Sequence, residues 1–184
     1  AFQTKHALTF PVSAPGSAGM ETCFANLVEP GDKIIVCING VFGGRMQENI
    51  ERYGGVPVVV EDRWGEPVSP HKLEDALKKN PDAKLVAFVH AETSTGALSD
   101  AKTLCAIAHK HRALTIVDAV TSLGGSPLKV DDWGIDAIYS GSQKCLSCTP
   151  GLSPVSLSAR AAEKIKNRKT KVTSWFFDIN LVMC

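Results

Sequence analysis

The sequence predicts an α/β domain built on a mainly parallel seven-stranded sheet that is flanked by helices. Short apolar runs alternate with helical patterns along the 184 residues, and turn-forming residues separate them. Most of the apolar runs are apolar throughout, which is typical of strands covered on both faces of a parallel sheet. A chain of this length can also bury one sizeable core, so a single domain is expected.

The first half of the chain alternates strand and helix patterns. The first strand contains Pro11, which lacks the N–H of an inner strand and therefore indicates a sheet edge or an irregular start. Gly54-Gly55 ends the second helix, and Pro70 begins the third, where a missing N–H costs least. The predicted elements are strand 8–12, a turn at 13–17 opening a helix to about 27, strand 33–39, helix 44–53, strand 57–60 and helix 70–79.

The second half continues the alternation. A continuous apolar run ends at His90, and one face of the next helical pattern carries Leu104, Ile107 and Ala108. No internal repeat or low-complexity linker interrupts the pattern. The predicted elements are strand 85–90, a polar turn at 91–96, helix 100–111, strand 114–117 ending at Asp118, strand 137–139 leading into 140–144, strand 152–157 and helix 159–167.

Composition excludes several classes of protein. The chain is 44% hydrophobic and 21% charged, as in ordinary globular domains. A net charge of +1 provides no field that would attract nucleic acid or an anionic membrane. The longest apolar runs, such as 34–38, are too short to cross a bilayer. We expect a cytoplasmic protein with neither a nucleic-acid nor a membrane partner.

Six cysteines are scattered mostly through apolar segments, which favours reduced thiols in a reducing compartment. Cys145 and Cys148 form a C-x-x-C pair, but a zinc site would need further ligands at matching spacing. We interpret the pair as small residues of a turn and expect no metal site. The chain has no initiator Met or signal peptide, and it stops in the apolar run 181–184, so we expect a fragment of a longer polypeptide.

Functional chemistry is expected at the carboxyl ends of the strands, where open parallel sheets bind ligands. The sequence places there a possible phosphate cradle, an aromatic ring, a hydroxyl, a carboxylate and an amine. These groups together suit a phosphorylated aldehyde on a pyridine ring. They lie in residues 13–17, 39–42, 90–93, 118 and 143–144.

Lys144 and Asp118 provide the main chemical groups, and each has an ordinary alternative. Lys144 follows an apolar strand and a Ser-Gly-Ser turn, and a lysine whose pKa is lowered by burial attacks carbonyls. A surface lysine is the alternative. Asp118 follows an apolar run, where a buried carboxylate needs a partner such as a pyridinium N–H. A helix cap is the alternative for Asp118.

Weaker signals come from five further positions. Gly16 and Ser17 begin a helix, whose free N–H groups and dipole favour an anion. Phe42 could stack on a flat ligand, although an aromatic residue there is more often part of the core. Thr93 could bind a phenolic oxygen. His90 could orient a group of the site, although a structural histidine is the simpler interpretation.

Two segments, 117–125 (VDAVTSLGG) and 140–144 (SGSQK), together resemble the class V aminotransferases. Further matching segments keep the family's order and approximate spacing, and the resemblance covers nearly the whole chain. It is strongest to the alanine–glyoxylate and serine–pyruvate (serine–glyoxylate) group. The further segments are 29–32 (EPGD), 39–43 (NGVFG), 92–96 (ETSTG) and 168–171 (RKTK).

The resemblance implies pyridoxal 5'-phosphate (PLP) as cofactor and assigns roles around its ring. Lys144 would form the Schiff base, and Asp118 would pair with the pyridine nitrogen. Val120 would pack on one ring face. Phe42 would cover the other, where close relatives often carry Trp. Thr93 would approach the ring oxygen, where some relatives carry Ser.

The resemblance also assigns the phosphate to Gly16, Ser17 and Gln143, although relatives with His at position 17 leave the role of the Ser17 side chain open. It implies that residues 1–184 form the large domain of PLP fold type I. Residues 168–184 would begin the connection from this domain to the rest of a longer chain. In the family a small C-terminal domain follows and carries an arginine for the substrate carboxylate, and we expect that domain to lie outside this sequence. A dimer partner usually adds phosphate contacts.

The implied activity is transamination between alanine or serine and an oxo acid such as glyoxylate or pyruvate. We expect a homodimer for the full-length enzyme and little or no turnover from this chain alone. Some relatives are peroxisomal, which gives an alternative to the cytoplasm.

Three rival interpretations stay open. One is another class V reaction, such as aminoethylphosphonate–pyruvate transamination or cysteine desulfuration, although a desulfurase would carry His where Gln143 stands. A second is a nucleotide-binding domain, but residues 40–44 lack G-x-G-x-x-G spacing and no G-x-x-x-x-G-K segment occurs. The third is a noncatalytic fragment that retains the fold.

Overall fold

The structure is a computed structural model that describes residues 2–181 and 183. The chain folds around a central sheet with helices on both faces. The strands are β1 (Leu8–Val12), β2 (Lys33–Ile38), β3 (Val56–Glu61), β4 (Leu85–Val89), β5 (Ala91–Glu92), β6 (Ala97–Leu98), β7 (Leu114–Asp118), β8 (Ala137–Tyr139) and β9 (Ser153–Leu157). The helices are α1 (Gly16–Leu27), α2 (Val41–Arg52), α3 (Pro70–Lys79), α4 (Ala101–Lys110), α5 (Val130–Trp133) and α6 (Ala159–Lys166), and a 3₁₀ turn covers Ile179–Leu181.

Seven strands pair in the order β1-β9-β8-β7-β4-β2-β3, which confirms the predicted mainly parallel sheet. Strands β3, β2, β4, β7 and β8 are parallel to one another. Strand β9 is antiparallel to β8, and β1 is antiparallel to β9. Strand β1 therefore runs in the same direction as β7 and β8, and its carboxyl end lies at the same edge of the sheet as theirs. Pro11 lies in β1 at the margin of the sheet, as predicted.

Both faces of the sheet are buried, which explains why the strands read as continuous apolar runs. In β2, Ile34 and Val36 pack in a core shared with α1, α2 and α6. Ile35 and Cys37, which alternate with them, pack in a second core shared with α3 and α4. Successive side chains of a strand point to opposite faces, so one apolar segment contributes to two cores.

Helix α2 begins at Val41, three residues earlier than the sequence pattern predicts. The predicted start at residue 44 rested on the amphipathic pattern of residues 44–53, which does not extend to the first turn. The buried carboxylate of Glu92 accepts hydrogen bonds from the backbone N–H groups of Phe42 and Gly43. These donors have no partner within a helix, and the carboxylate satisfies them and complements the helix dipole. Phe42 therefore lies in the first turn of α2 and not in a strand-end loop.

Four short elements were missed by the sequence patterns. The polar turn predicted at 91–96 contains β5 and leads directly into β6, and these two strands form a hairpin with two residues in each strand. Helix α5 has four residues and the 3₁₀ turn has three, so neither is long enough to show a periodic pattern. The remaining predicted strands and helices agree closely with the structure.

The thiols are free wherever the structure describes them. Cys23, Cys37 and Cys105 are buried, whereas Cys145 and Cys148 are exposed in the turn after β8. Burial raises the pKa of the Cys23, Cys37 and Cys105 thiols. The predicted reduced thiol Cys184 lies outside the described residues. Within residues 2–181 and 183, no helix has the length and apolar character to cross a membrane, and no three His, Cys, Asp or Glu side chains cluster as metal ligands.

The close approach of α1 to the sheet depends on Gly19. A Cβ atom at this position would collide with Ser153 Oγ and would lie 3.0 Å from Tyr139 Cβ. Ser153 Oγ donates a hydrogen bond of 2.6 Å to the Ser140 carbonyl, so it cannot move aside without losing a buried bond. Gly19 thus sets the distance between α1 and the carboxyl end of β8.

Substitution Gly19→Ala is expected to lower the free energy of unfolding by about 1–3 kcal/mol, because the added methyl group overpacks this contact. Gly44→Ala in α2 is the matched control, since a Cβ atom there meets no heavy atom within 4 Å. The control should be neutral or stabilising by up to about 1 kcal/mol through its better helix propensity. Urea unfolding of both variants measures the difference, and equal effects would contradict the expectation.

Candidate functional site

A cleft opens at the carboxyl edge of the sheet, between the first turns of α1 and α2 and the loops that follow β7 and β8. Its volume is about 190 Å³. The structure brings together in it seven of the eight residues predicted for a site, and it leaves Thr93 outside. The seven are Gly16, Ser17, Phe42, Asp118, Val120, Gln143 and Lys144.

Asp118 is the buried charge of this cleft. It ends β7 with 2% of its surface exposed. The backbone N–H of Val120 donates to Asp118 Oδ1 at 2.8 Å, and the Tyr139 hydroxyl donates to Oδ2 at 2.8 Å. Burial raises the pKa of the Asp118 carboxyl from 3.8 to about 6, and the two hydrogen bonds oppose this rise only in part. A cation in the cleft would stabilise the ionised form further.

The helix-cap alternative for Asp118 does not apply. Residues 119–123 form a turn and begin no helix. The bond from the Val120 N–H closes a local turn that directs the chain out of β7. The side chain is directed by this turn and by β8, and it lines the cleft.

Lys144 lies at the mouth of the cleft. It belongs to the turn after β8 and is exposed, although it lines the same cleft as the buried Asp118. Ser142 anchors this turn, since its backbone N–H donates to the Leu152 carbonyl at 2.9 Å and its hydroxyl donates to the Thr149 carbonyl at 2.6 Å. The cleft therefore has a carboxylate on its floor and an amine at its entrance.

The start of α1 forms one wall. Its N-cap residue, Pro15, makes no side-chain capping bond, so no such bond blocks the N–H groups of Gly16 and Ser17. A Cβ atom on Gly16 would lie 3.1 Å from Val120 Cγ2, which shows how closely the helix start meets the loop after β7. Ser17 and Gln143 are exposed side chains that line the same cleft. Helix N-termini of this kind favour a bound anion.

Phe42 provides a flat apolar surface on the opposite side, in the first turn of α2. Its ring is half-buried, and the guanidinium of Arg45 lies 4.7 Å from the ring centroid. Arg45 also lines the cleft and was not predicted. Arg45 lies three residues after Phe42 on α2, but the predicted helix began at residue 44, so the sequence pattern did not place the two side chains on one face.

Glu92 positions the start of α2 and was also missed as a site residue. Its side chain is 1% exposed, and its Oε2 accepts from the N–H groups of Phe42 at 3.2 Å and Gly43 at 3.3 Å. Its Oε1 accepts from the Ser94 N–H at 3.1 Å and the Ser94 hydroxyl at 2.7 Å. A side chain on Gly40 would collide with Glu92. One buried carboxylate therefore ties the hairpin after β4 to the aromatic wall of the cleft.

Thr93 and His90 lie outside the cleft. The Thr93 hydroxyl is 3.2 Å from the Thr121 hydroxyl, which itself donates to the Ala91 carbonyl. His90 is buried, with Nδ1 2.9 Å from Ser122 Oγ and its ring edge-to-face with Trp133. Burial lowers the pKa of His90. These contacts support the simpler interpretation of His90 as a structural residue.

Comparison with known proteins identifies relatives along nearly the whole chain. The family described as Aminotransferase class-V matches residues 14–174. Alanine–glyoxylate aminotransferase of Oryctolagus cuniculus is 41% identical over 99% of this chain and 46% of its own length. The (S)-ureidoglycine–glyoxylate transaminase of Bacillus subtilis (strain 168) is 40% identical over 91% of this chain and 40% of its own length.

A solved structure shows the same fold. The crystal structure of alanine–glyoxylate aminotransferase from Nostoc sp. superposes with a TM-score of 0.96 at 43% identity, and it covers 99% of this chain and 48% of the other. The chain thus spans about half the length of the relatives it matches.

The substitution Asp118→Asn is expected to stabilise the fold at neutral pH. The Asp118 carboxyl has a pKa of 3.8 ordinarily and about 6 when folded, so the folded chain binds its proton more tightly than the unfolded chain. The stability associated with that proton is present below about pH 4 and is lost as the pH rises to about 6. Because a tenfold change in proton affinity corresponds to about 1.4 kcal/mol, Asn should stabilise by up to about 3 kcal/mol at pH 7–8.

Urea unfolding at pH 4 and pH 8 tests this expectation. The stabilising effect of Asp118→Asn should be largest at pH 8 and nearly absent at pH 4. Asp75→Asn, at an exposed aspartate of α3, is the control and should have little effect at either pH. A loss of stability in Asp118→Asn at pH 8 would contradict the predicted cost of burying the charge.

Proposed function

The chain belongs to the class V aminotransferase family, and on that premise we propose that it is the PLP-binding large domain of a transaminase over residues 1–184. The reaction would move an amino group from alanine or serine to an oxo acid such as glyoxylate or pyruvate. The observation that supports this proposal most is that the Lys144 amine and the buried Asp118 carboxylate line one cleft. A carbonyl-bearing cationic ring needs this pair of groups.

The groups of the cleft fit the ring of PLP. Asp118 would pair with the protonated pyridine nitrogen, because its buried carboxylate gains from a cation. Phe42 and Val120 would pack against the two faces of the ring. Lys144 would hold the cofactor through its amine. Thr93 would bind the ring oxygen only after its hydroxyl gives up the present hydrogen bond to the Thr121 hydroxyl.

The phosphate would lie at the start of α1. The N–H groups of Gly16 and Ser17 have no side-chain cap in competition, and the helix dipole favours an anion there. The Ser17 hydroxyl and the Gln143 amide would add donors. A side chain at Gly16 would press on Val120, so the glycine keeps the cradle open.

Two residues would perform the proton chemistry. When bound, the cofactor supplies an electron-withdrawing pyridinium ring that acidifies the Cα–H of an attached amino acid. Asp118 would keep the proton on the ring nitrogen, since its carboxyl, with a pKa of about 6, is ionised at neutral pH. Lys144 Nζ, exposed at the entrance, would take the proton from the substrate Cα as general base.

Glyoxylate is the oxo acid that the comparisons favour. The two curated relatives described above both carry glyoxylate in their names, although their amino donors differ. Alanine and serine are the donors proposed here, and (S)-ureidoglycine is a second candidate because of the 40% identical Bacillus relative. Turnover and a homodimeric assembly are proposed for the longer protein, since this chain spans about half the length of its relatives.

Covalent attachment of PLP tests the assignment of Lys144. Reduction with borohydride followed by peptide mass spectrometry should locate the cofactor on Lys144, and Lys144→Ala should abolish the label. Lys84→Ala is the matched control, because Lys84 is also exposed but lies in a separate depression beside Glu29 and Lys164. Equal labelling of the two variants would reject the assignment.

Product analysis of the full-length enzyme tests the reaction. Alanine or serine with glyoxylate should yield glycine and the matching keto acid. Glycine formed only with (S)-ureidoglycine would assign the second candidate donor. Transfer from aminoethylphosphonate to pyruvate, or sulfur release from cysteine, would contradict the proposal, and the latter is already disfavoured by Gln143 at the position of a desulfurase histidine.

A further inference from the structure

Tyr139 contacts Asp118 directly and has no part in the roles proposed above. It ends β8 and stands opposite Asp118 in the parallel pairing of β7 with β8. Its hydroxyl donates to Asp118 Oδ2 at 2.8 Å, and the bond is buried. The contact is therefore part of the sheet itself and does not depend on a flexible loop.

The Tyr139 side chain is held firmly in place. It is fully buried, and α1 packs against it so closely that a Cβ atom on Gly19 would lie 3.0 Å from Tyr139 Cβ. Burial and the charge of Asp118 raise the pKa of the Tyr139 hydroxyl well above its ordinary value. The hydroxyl thus keeps its proton at every physiological pH and acts only as a donor toward Asp118.

Two donors define the plane of the Asp118 carboxylate. The Val120 N–H binds Oδ1 at 2.8 Å, and the Tyr139 hydroxyl binds Oδ2 at the same distance. With one donor on each oxygen, rotation of the carboxylate breaks a bond. Without Tyr139 the carboxylate would be held at one oxygen only and would lose a donor that stabilises its charge.

We propose that Tyr139 is a positioning residue, whose hydroxyl orients the Asp118 carboxylate toward the cleft and keeps it ionised for the ring nitrogen of the cofactor. This inference rests on the proposed function, because it concerns how well PLP is held. Tyr139 acts through Asp118.

The other charged and titratable groups near Asp118 set the background for a pH test. Glu92 raises the pKa of Asp118 by its charge, and Cys23 of α1 is a buried neutral thiol whose own pKa is raised. Arg45 of α2 and Lys144 line the same cleft. All four remain unchanged when Tyr139 alone is altered, so a difference between wild type and variant reports on the hydroxyl.

The experiment compares Tyr139→Phe with Tyr53→Phe. These are the two tyrosines of the chain. The Tyr53 hydroxyl also donates to a carboxylate, that of Glu21 at 2.9 Å, but on the exposed surface. The pKa of Asp118 is measured by carbon NMR without cofactor, and PLP affinity is measured from pH 6 to pH 9.

In Tyr139→Phe the pKa of Asp118 should rise further, because the ionised form loses a donor. PLP affinity near pH 7 should fall about tenfold, as for the loss of one hydrogen bond to a charged group. The difference in PLP affinity between Tyr139→Phe and wild type should become smaller toward pH 9, because Asp118 is ionised in both proteins there. Tyr53→Phe should match wild type throughout.

A double substitution separates positioning from a general loss of structure. In the Asp118→Asn background, Tyr139→Phe should cause little further loss of PLP affinity, whereas a structural defect would weaken binding again by a similar factor. An unchanged pKa of Asp118, or a further loss of PLP affinity of similar size when Tyr139→Phe is added to Asp118→Asn, would overturn the inference and leave the proposed function intact. Failure of the wild-type chain to attach PLP would overturn the proposed function, and this inference with it.

Discussion

The burial of one carboxylate is the constraint on which the candidate site depends. Asp118 is removed from water at the end of a central strand, and this burial raises the pKa of its carboxyl to about 6. Two hydrogen bonds, from Val120 and Tyr139, offset only part of that rise. We therefore expect the amide of an asparagine to be more stable there at neutral pH. The buried carboxylate nevertheless lines the cleft, where a cation would stabilise its ionised form.

The topology of the sheet explains why several distant segments meet around this carboxylate. Strand β1 reaches the sheet through β9, which reverses direction, so the start of α1 emerges at the same edge as Asp118 and Lys144. Glycine at position 19 lets α1 approach that edge closely. Glu92 ties the start of α2 to the same region. The cleft is thus assembled by the close approach of backbone segments and by helix capping.

The chain belongs to the class V aminotransferase family. The family match spans residues 14–174, which includes every residue that lines the cleft, from Pro15 to Lys144. Phe42 keeps an aromatic wall at a position where the resemblance leads one to expect Trp, and the cation of Arg45 lies over its ring. Lys144 is exposed and lines the cleft at its entrance.

The sequence by itself determined the alternation of strands and helices, the two-sided burial of the sheet and the motif that joins Asp118 to Lys144. The alternation and the burial follow from local periodicity. The motif was identified by its resemblance to the class V aminotransferases. Only the tertiary structure decided that Tyr139 bonds Asp118, that Glu92 starts α2 at Val41 and that Thr93 faces Thr121 instead of the cleft. The partners in these contacts are 21 to 50 residues apart in the chain. Strand register and capping by distant side chains bring these partners together. Local sequence patterns predict neither the register nor the capping contacts.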